Sequence, residues 1–495
     1  MKTKIRALAL LLALALCTSL FAGCNSDSGN GADSTSTDGG KKEVVEITWW
    51  EYGAQPKDDS VLQALNAMSA KDIGVTVNFV FVPYADQEKL MTALSTGADD
   101  DIAFTCSWFA DYVTAAQKGQ FLDLTDRVKS DTPTLYSSIP EYVWKGSQVN
   151  GKVYAVPVYK DTAEIYYYRV NQEYVLDGAG LQDEFKSMGA AFSTATPLLK
   201  KIKEYNEAGN AYPGGLSAPL SLDQGGMKGI YGGWDILSPI LIGRRLTGDS
   251  YQIDSFLRDE AFIDDLKTLS EWYRAGYINQ DAPNITQNPG FYVFDNEQGY
   301  EGAEAEWNVG LDFHVAIQQR TQPVASSSTV TGAMNGIFTN SKHPDEALKY
   351  LEYINTNKDY RNMLAYGIEG KNWELNNGAA KILNTDYSMS PWAQANLFLC
   401  YPPDPAPADM YEKVEAQMHN PETSDLLGFA FDMANVRNEV GACTTVVQKY
   451  ISILLCGSSK DVDATVAQML DEMNQNGYQK VIDECQRQVD EFLGK

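Results

Sequence analysis

The side chains best suited to bind a ligand are aromatic residues that stand beside acids and a lysine where strands are expected to end. They are Trp49, Trp50, Glu51 and Tyr52 after the first strand, Trp108 and Asp111 after the strand that begins at Asp101, and Tyr159 and Lys160 after the strand at 153–158. Aromatic faces stack on the apolar C–H faces of sugar rings, and carboxylates and amines hydrogen-bond the hydroxyl groups around them. Because ligands of open α/β sheets bind outside the carboxyl ends of the strands, this composition indicates a sugar site. Core packing is the alternative for Trp49 and Trp50, since tryptophan is usually largely buried.

Recognisable catalytic and metal-binding motifs are not found in the sequence. The three histidines, His314, His343 and His419, lie in no HExxH, HxE or H-x3-H setting, and no GxSxG, Walker or kinase signature occurs. The acids at 99–101 lack the spacing and the glycine of a calcium loop. We therefore expect no catalytic residue, no metal and no cofactor. A structural calcium and a glycosidase carboxylate pair stay open, because the separation of two acids is fixed only in three dimensions.

The first 23 residues predict a lipoprotein signal peptide. Three basic residues precede an apolar run at 7–16, which at about 1.5 Å per residue is too short to cross a bilayer core of about 30 Å. The run is followed by Leu-Phe-Ala-Gly-Cys, a lipobox pattern that makes Cys24 the expected lipidation site. An ordinary cleaved secretory signal is the alternative. Residues 25–40 contain only Asn, Ser, Asp, Gly, Ala and Thr, so we expect a flexible tether at 24–43.

Size, charge and cysteine content narrow the class of protein. Removal of residues 1–23 would leave 472 of the 495 residues, more than one core usually holds, so two large lobes are expected. The net charge of −27 becomes −30 when three basic residues leave with the signal, which argues against nucleic acid or an anionic membrane surface as ligand. A neutral or cationic small molecule is a better candidate ligand for so acidic a protein, although solubility alone accounts for the charge.

Five cysteines remain beyond Cys24, an odd number without a CxxC pair, which indicates buried thiols rather than zinc or disulfides.

Short β-rich runs alternate with helical periodicity, which indicates an α/β protein. Strands are predicted at 44–48, 75–82, 101–104 and 153–158, a strand crossing between lobes at 165–168, and helices from Pro344, at 462–473 and at the C-terminus. Asn476-Gly477 is the expected stop between the last two helices.

Several stretches, taken in order, resemble one known family. They are Asp101 to Asp126, which ends in Gly-Gln-Phe-Leu-Asp-Leu-Thr-Asp, then Asn150 to Pro157, Ala275 to Asn279 and Ser341 to Asn355. On these the chain is similar to extracellular solute-binding lipoproteins of ABC importers, family 1, carbohydrate type. Tyr366 to Lys371, Gly428 to Glu439 and Glu484 to Gln488 resemble the LplA-like subgroup, which carries a family-specific C-terminal extension. The resemblance spans nearly the whole mature chain and depends on order and spacing rather than on any single motif.

The resemblance implies a two-lobed α/β fold of the type II periplasmic-binding-protein kind, with the ligand held between lobes that close on a hinge. It implies lobe 1 at 44–158 and about 326–390, lobe 2 at 165–322 and about 391–495, and hinge crossings near 159–164, 323–326 and 386–395. Trp234, Trp307, Glu369 and Trp373 join the candidate ligand contacts, because the family's loops at these places face the cleft.

The implied activity is capture of a small solute, expected to be an oligosaccharide, and its delivery to ABC permease subunits. The implied protein is a monomer held by lipid at the outer face of the cell membrane, with no nucleic acid partner. Two other functions stay open: a surface glycosidase or polysaccharide lyase, and a peptide-binding transport lipoprotein. A metal carrier is disfavoured by the scarcity of histidine.

Overall fold

The computed structural model describes residues 44–246, 251–287, 290–308 and 311–495. The predicted signal peptide at 1–23, the lipidation site Cys24 and the tether lie outside the described residues. Within those ranges, no helix combines the length and the apolar character needed to cross a membrane.

The described chain alternates strands and helices. The strands are β1 (Val45–Tyr52), β2 (Val75–Val82), β3 (Ile102–Thr105), β4 (Gln148–Val149), β5 (Lys152–Val153), β6 (Ala155–Pro157), β7 (Ile165–Asn171), β8 (Trp234–Ser238), β9 (Ile242–Arg245), β10 (Asp254–Ser255), β11 (Phe294–Gly299), β12 (Val315–Gln319), β13 (Val324–Ala325), β14 (Met334–Ile337), β15 (Trp373–Asn376), β16 (Ala379–Ile382) and β17 (Glu422–Thr423). The α-helices are α1 (Asp59–Ile73), α2 (Gln87–Thr96), α3 (Tyr112–Gln117), α4 (Arg127–Ser130), α5 (Pro133–Ser138), α6 (Glu141–Gly146), α7 (Gln182–Lys186), α8 (Thr196–Glu207), α9 (Glu260–Arg274), α10 (Glu304–Trp307), α11 (Ser327–Val330), α12 (Pro344–Thr356), α13 (Lys358–Tyr366), α14 (Pro391–Gln394), α15 (Met410–Met418), α16 (Arg437–Leu455), α17 (Val462–Gln475) and α18 (Tyr478–Leu493).

Helix ends follow the local chemistry of the sequence. Asp58 caps α1 by accepting a hydrogen bond from the backbone N–H of Ser60 at 3.2 Å, and Gly74 ends the helix with a φ of 74°. The predicted helix start at Pro344 and the predicted stop at Asn476-Gly477 are both confirmed. The predicted strand at 153–158 is instead divided into β5 and β6, because its two halves pair with different partners, β4 and β14.

A five-stranded sheet with the order β2-β1-β3-β14-β6 brings the ends of β1 and β3 together. β1 is parallel to β2 over its whole length, and parallel to β3 with Trp49 opposite Ile102. β14 lies antiparallel between β3 and β6. Since parallel strands end at the same edge of a sheet, Tyr52 at the end of β1 lies beside the loop that follows β3.

Apolar side chains form two large cores joined by β7, and a smaller third cluster, around Phe104 and Phe109, lies on the face of the five-stranded sheet opposite Trp49. The first core contains Ile47 and Leu351, and the second contains Leu199 and Trp272. β7 is the central strand of a three-stranded antiparallel sheet, β11-β7-β12. Its first residues pack in the first core and its later residues, from Tyr168, pack in the second. The crossing strand therefore passes directly from one core to the other.

The chain crosses between the cores again near residue 426. Leu426 packs in the second core, whereas Leu427 packs in the first. The preceding segment also belongs to the first core through Leu397, Tyr411 and Met418, although the sequence analysis placed it in the second lobe.

The prediction of buried thiols is confirmed. Cys106, Cys400, Cys443, Cys456 and Cys485 are all buried and free. The described body is therefore held together by packing and hydrogen bonds without a disulfide.

Truncation of Leu427 tests the packing at the crossing near residue 426. Leu427→Ala removes a side chain that is 2% exposed, and we expect a loss of about 2–5 kcal/mol in the free energy of unfolding. Leu375→Ala, at a leucine that is 46% exposed on β15, is the matched control and should change stability by less than about 0.5 kcal/mol. Urea unfolding of the soluble body measures both, and equal values for the two variants would contradict the burial of Leu427 in the first core.

Candidate functional site

A cavity of about 770 Å³ lies where the two cores approach each other, and we call it the cleft. Its walls come from the loop after β3, the segment between β6 and β7, the end of β11 with α10, the start of α11, and α14. This volume is within the range of about 300–1,000 Å³ that is usual for small-molecule sites.

One wall of the cleft is an aromatic cluster built around Tyr52. The ring of Tyr52 lies 5.4 Å from those of Trp108 and Trp392, and 5.3 Å from those of Phe104 and Phe109. Trp108 is 41% exposed, yet its Nε1 donates a hydrogen bond to a backbone carbonyl at 3.1 Å. The cluster therefore presents fixed aromatic surface to the cleft.

Trp307 on α10 supplies a further aromatic surface to the cleft. The guanidinium of Arg169 lies 4.9 Å from its ring centroid, which is a cation–π contact. The backbone of Gly299 packs so closely beneath this ring that a Cβ there would lie 2.6 Å from it. A glycine at this position is therefore what lets the indole approach β11 so closely.

Charged side chains surround these rings. Lys160 pairs with Asp161 at 2.8 Å. The hydroxyl of Tyr166 donates to Glu164 at 2.6 Å, and burial raises the pKa of that carboxyl. Glu306 accepts from the hydroxyl of Tyr411 at 2.8 Å, and burial raises its pKa as well. The cleft thus offers carboxylate acceptors and, from Lys160 and Lys228, ammonium donors beside its apolar faces.

Arg361 is fully buried and holds the segment that carries Trp392 in place by hydrogen bonds. Its guanidinium donates to the carbonyl of Pro391 at 2.6 Å and to the side-chain oxygen of Gln394 at 2.9 Å. The amide of Asn335 adds a hydrogen bond to the carbonyl of Gln394 at 2.8 Å. These bonds satisfy buried polar groups on both sides and fix the position of α14.

Three of the residues predicted from sequence line the cleft: Trp108, Lys160 and Trp307. Tyr52 lies behind Trp108 and supports it. Asp111 accepts a hydrogen bond from the backbone of Thr114 as the cap of α3, and it lines an adjoining cavity rather than the cleft.

The other predicted residues lie elsewhere. Trp49 is fully buried in the first core, where its Nε1 donates to Asn335 at 3.1 Å, and Glu51 shares its side of β1. Trp50 packs on the opposite face of the sheet. Tyr159 is buried against Phe398, Trp234 against Phe256, and Trp373 between Tyr366 and Tyr401, while Glu369 is exposed beside Trp373. Alternation along β1 explains the positions of Trp49, Trp50 and Glu51, because successive side chains of a strand point to opposite faces.

Sequence reasoning missed most of the residues that line the cleft, among them Trp392, Tyr300, Tyr411, Glu297, Asp161 and Glu164. Glu297 accepts from Arg169 at 3.2 Å. The one available signal was the proline before Trp392, which marks a helix start and hence an exposed turn. In the ranges that the structure describes, no cluster of three or more His, Cys, Asp or Glu side chains could hold a metal ion.

Comparison with known proteins gives consistent matches. Residues 63–368 match the family described as bacterial extracellular solute-binding protein, and residues 425–494 match a domain of unknown function, DUF3502. A carbohydrate ABC transporter substrate-binding protein of Streptococcus pneumoniae serotype 4 is 28% identical over 501 aligned residues, which cover 96% of this chain and 95% of that protein.

Solved structures agree with the fold predicted from the sequence. The N-glycan transport solute binding protein NgtS of Streptococcus pneumoniae is 25% identical with a TM-score of 0.80, covering 92% of this chain and all 100% of that chain. Its complex with Man5GlcNAc is 26% identical with a TM-score of 0.74, covering 91% and 99%. The alginate-binding protein AlgQ2, at 16% identity and a TM-score of 0.57 over 90% and 98% of the two chains, shares the fold. The two cores are therefore the lobes of the expected two-lobed α/β fold.

Glu51 generates a prediction about pH. Burial raises the pKa of this carboxyl from 4.5 to about 8, so the folded protein holds a proton that the unfolded chain releases. The stability that depends on Glu51 is complete below pH 4.5 and is lost as the pH rises toward 8. Glu51→Gln, which keeps the shape of the protonated acid, should leave stability at pH 4.5 nearly unchanged and raise it by about 3 kcal/mol at pH 7.

Urea unfolding at both pH values measures this effect. Glu46→Gln, at an exposed position of the same strand, is the control and should show no such pH-dependent gain. A gain for Glu51→Gln that is equal at both pH values would contradict a buried neutral carboxyl.

Proposed function

Since this chain belongs to the family of bacterial extracellular solute-binding proteins, we propose that it captures an oligosaccharide in the cleft and delivers it to the permease of an ABC importer. It is a binding protein rather than an enzyme, so the ligand leaves with its bonds intact. The observation that carries the proposal is that one cavity is lined both by aromatic rings, those of Trp108, Trp392 and Trp307, and by carboxylates and lysines.

This pattern suits sugars because each ring has an apolar face and a polar rim. Stacking removes the apolar face from water, while Asp161, Glu164 and Lys160 can bind the hydroxyl groups. A micromolar affinity corresponds to about −8 kcal/mol, which two or three stacked rings and a set of hydrogen bonds can supply. The carbohydrate named in the description of the Streptococcus relative, and the N-glycan named for NgtS, support the same ligand class.

We propose that the lobes close around the ligand by bending at segments 159–164 and 323–326 and near residue 426. The packing of Tyr387 and Ala395 in the first core disfavours the third expected hinge at 386–395. Lys160, Asp161 and Glu164 lie on the first of these segments and also line the cleft, so a bound ligand would contact the hinge directly. Ligand that binds the closed form more tightly shifts the equilibrium toward it, and the permease can then distinguish loaded from empty protein. The packing of 397–418 in the first core favours its assignment to lobe 1, with lobe 2 resuming beyond residue 426.

We further propose that Cys24 carries lipid and that the monomeric protein is tethered to the outer face of the cell membrane. Support for this proposal comes from the lipobox and from the small, polar composition of residues 25–40. The tether would have an end-to-end distance of roughly 20 Å, enough to hold the lobes clear of lipid headgroups.

Calorimetric titration of the soluble body with a panel of oligosaccharides tests the ligand class. We expect one glycan class to bind, and Trp307→Ala and Trp392→Ala each to weaken that binding at least tenfold, because each removes a stacking face. Phe492→Ala, at an exposed aromatic of α18, is the control and should bind as the wild type does. Binding of peptides in place of sugars would overturn the carbohydrate ligand, and new reducing ends in the recovered sugar would overturn the non-enzymatic role.

Fractionation of cells tests the anchor. The wild-type precursor should be recovered with membranes and incorporate labelled palmitate, whereas Cys24→Ser should lose the label and appear in the soluble fraction. Cys106→Ser, at a buried thiol of the described body, is the control and should stay with the membranes. Equal label in the wild type and in Cys24→Ser would contradict lipidation at this residue.

A further inference from the structure

The cleft does not end at Trp108. A second cavity of about 500 Å³ adjoins it and shares Ser107, Trp108 and Ser328 with it. The walls of this cavity are mainly apolar and include Met91, Val113, Ile236, Leu237 and Met433, and we call it the apolar chamber. Among the described residues that line it, Asp111 alone carries an acidic or basic side chain. The two cavities share one indole ring, but the cleft is lined by several charged side chains and the apolar chamber by only one.

The apolar chamber leaves large hydrophobic side chains in contact with water. Met91 is 41% exposed, Ile236 is 39% exposed and Trp108 is 41% exposed. Concave apolar surface of this kind on a soluble protein marks a binding site, because covering it releases water at little cost in polar desolvation.

A local irregularity in the second lobe places Ile236 at the chamber. The pairing of β8 with β9 shifts register between Ile236 and Ser238, so Leu237 is an extra residue in β8. Such a bulge redirects the side chains around it, and Ile236 and Leu237 both line the chamber while Trp234 and Asp235 stay buried.

The remaining wall comes from residues 429–433, at the start of the region that matches the domain of unknown function. This segment is fixed to the first lobe. The N–H of Gly428 donates to the hydroxyl of Ser327 at 2.8 Å, and the side chain of Gln117 donates to the carbonyl of Phe431 at 3.4 Å. The C-terminal region thus has a direct structural part in shaping the chamber.

We propose that the apolar chamber binds a neutral apolar substituent, an alkyl or aryl group, on the sugar whose rings occupy the cleft. The proposal rests on the proposed function and adds the class of ligand: a glycoside with an apolar aglycone rather than a free sugar alone. Trp108 lines both cavities, so one ligand can stack its sugar in the cleft and extend its aglycone past the indole. The carboxylate of Asp111 and the absence of a basic side chain among the described lining residues disfavour a fatty acid anion.

The neutral dye N-phenylnaphthylamine tests the chamber without any sugar. We expect the wild-type soluble body to bind one equivalent with increased fluorescence, and Ile236→Asn combined with Met91→Gln to weaken binding at least tenfold. Ile382→Asn, at an isoleucine that is 44% exposed on β16 and lines neither cavity, is the matched control and should bind like the wild type. Thermal unfolding of each variant separates loss of the chamber from loss of fold.

The methyl and octyl glycosides of Man1GlcNAc then test whether the two cavities share one ligand. The octyl glycoside should bind the wild type at least tenfold more tightly than the methyl glycoside, and this advantage should vanish in the Ile236→Asn, Met91→Gln variant while the methyl glycoside binds unchanged. An octyl advantage that survives in the folded variant, or no advantage in the wild type, overturns the proposal. Dye binding that depends on Ile236 supports the chamber even where neither glycoside binds, a result that counts against the sugar ligand instead.

Discussion

The completely buried guanidinium of Arg361 is the interaction on which the geometry of the cleft most depends. It donates hydrogen bonds to Pro391 and Gln394 and so fixes α14, which carries Trp392, to the first core. A charge without partners in this position would cost several kcal/mol, so the loop and the arginine each require the other. Because Trp392 contacts Tyr52 and Trp108, this buried charge completes the aromatic wall that the ends of β1 and β3 begin.

The second constraint is that the chain must connect two hydrophobic cores that remain separate. β7 crosses between them as a strand, and the chain crosses again between Leu426 and Leu427. Lys160, Asp161 and Glu164 stand beside the first crossing and also line the cleft. A solute bound in the cleft would therefore contact the segment at which we propose that the lobes bend.

Much of the fold could be predicted from the sequence, because strands β1 to β3, the helix at Pro344 and the stop at Gly477 have local signals. The site was harder to predict. Trp108, Lys160 and Trp307 were identified, but Trp49 and Glu51 proved to be on the buried side of β1, and period-two alternation does not say which face is covered. Trp373 is an aromatic residue like those of the site, yet it packs in the core. Trp392 reaches the cleft because Arg361, distant in sequence, holds α14 in place. Such long-range hydrogen bonds leave no local pattern.

The five buried cysteines have a practical consequence. Burial raises the pKa of Cys106 and Cys485 to about 12 and that of Cys443 to about 11, so these thiols stay protonated and resist alkylation. Thiol-reactive reagents should therefore label these native cysteines only weakly. A cysteine introduced on each lobe could be coupled to a pair of fluorophores, and the distance between the dyes would report each opening and closing of the cleft in a single molecule.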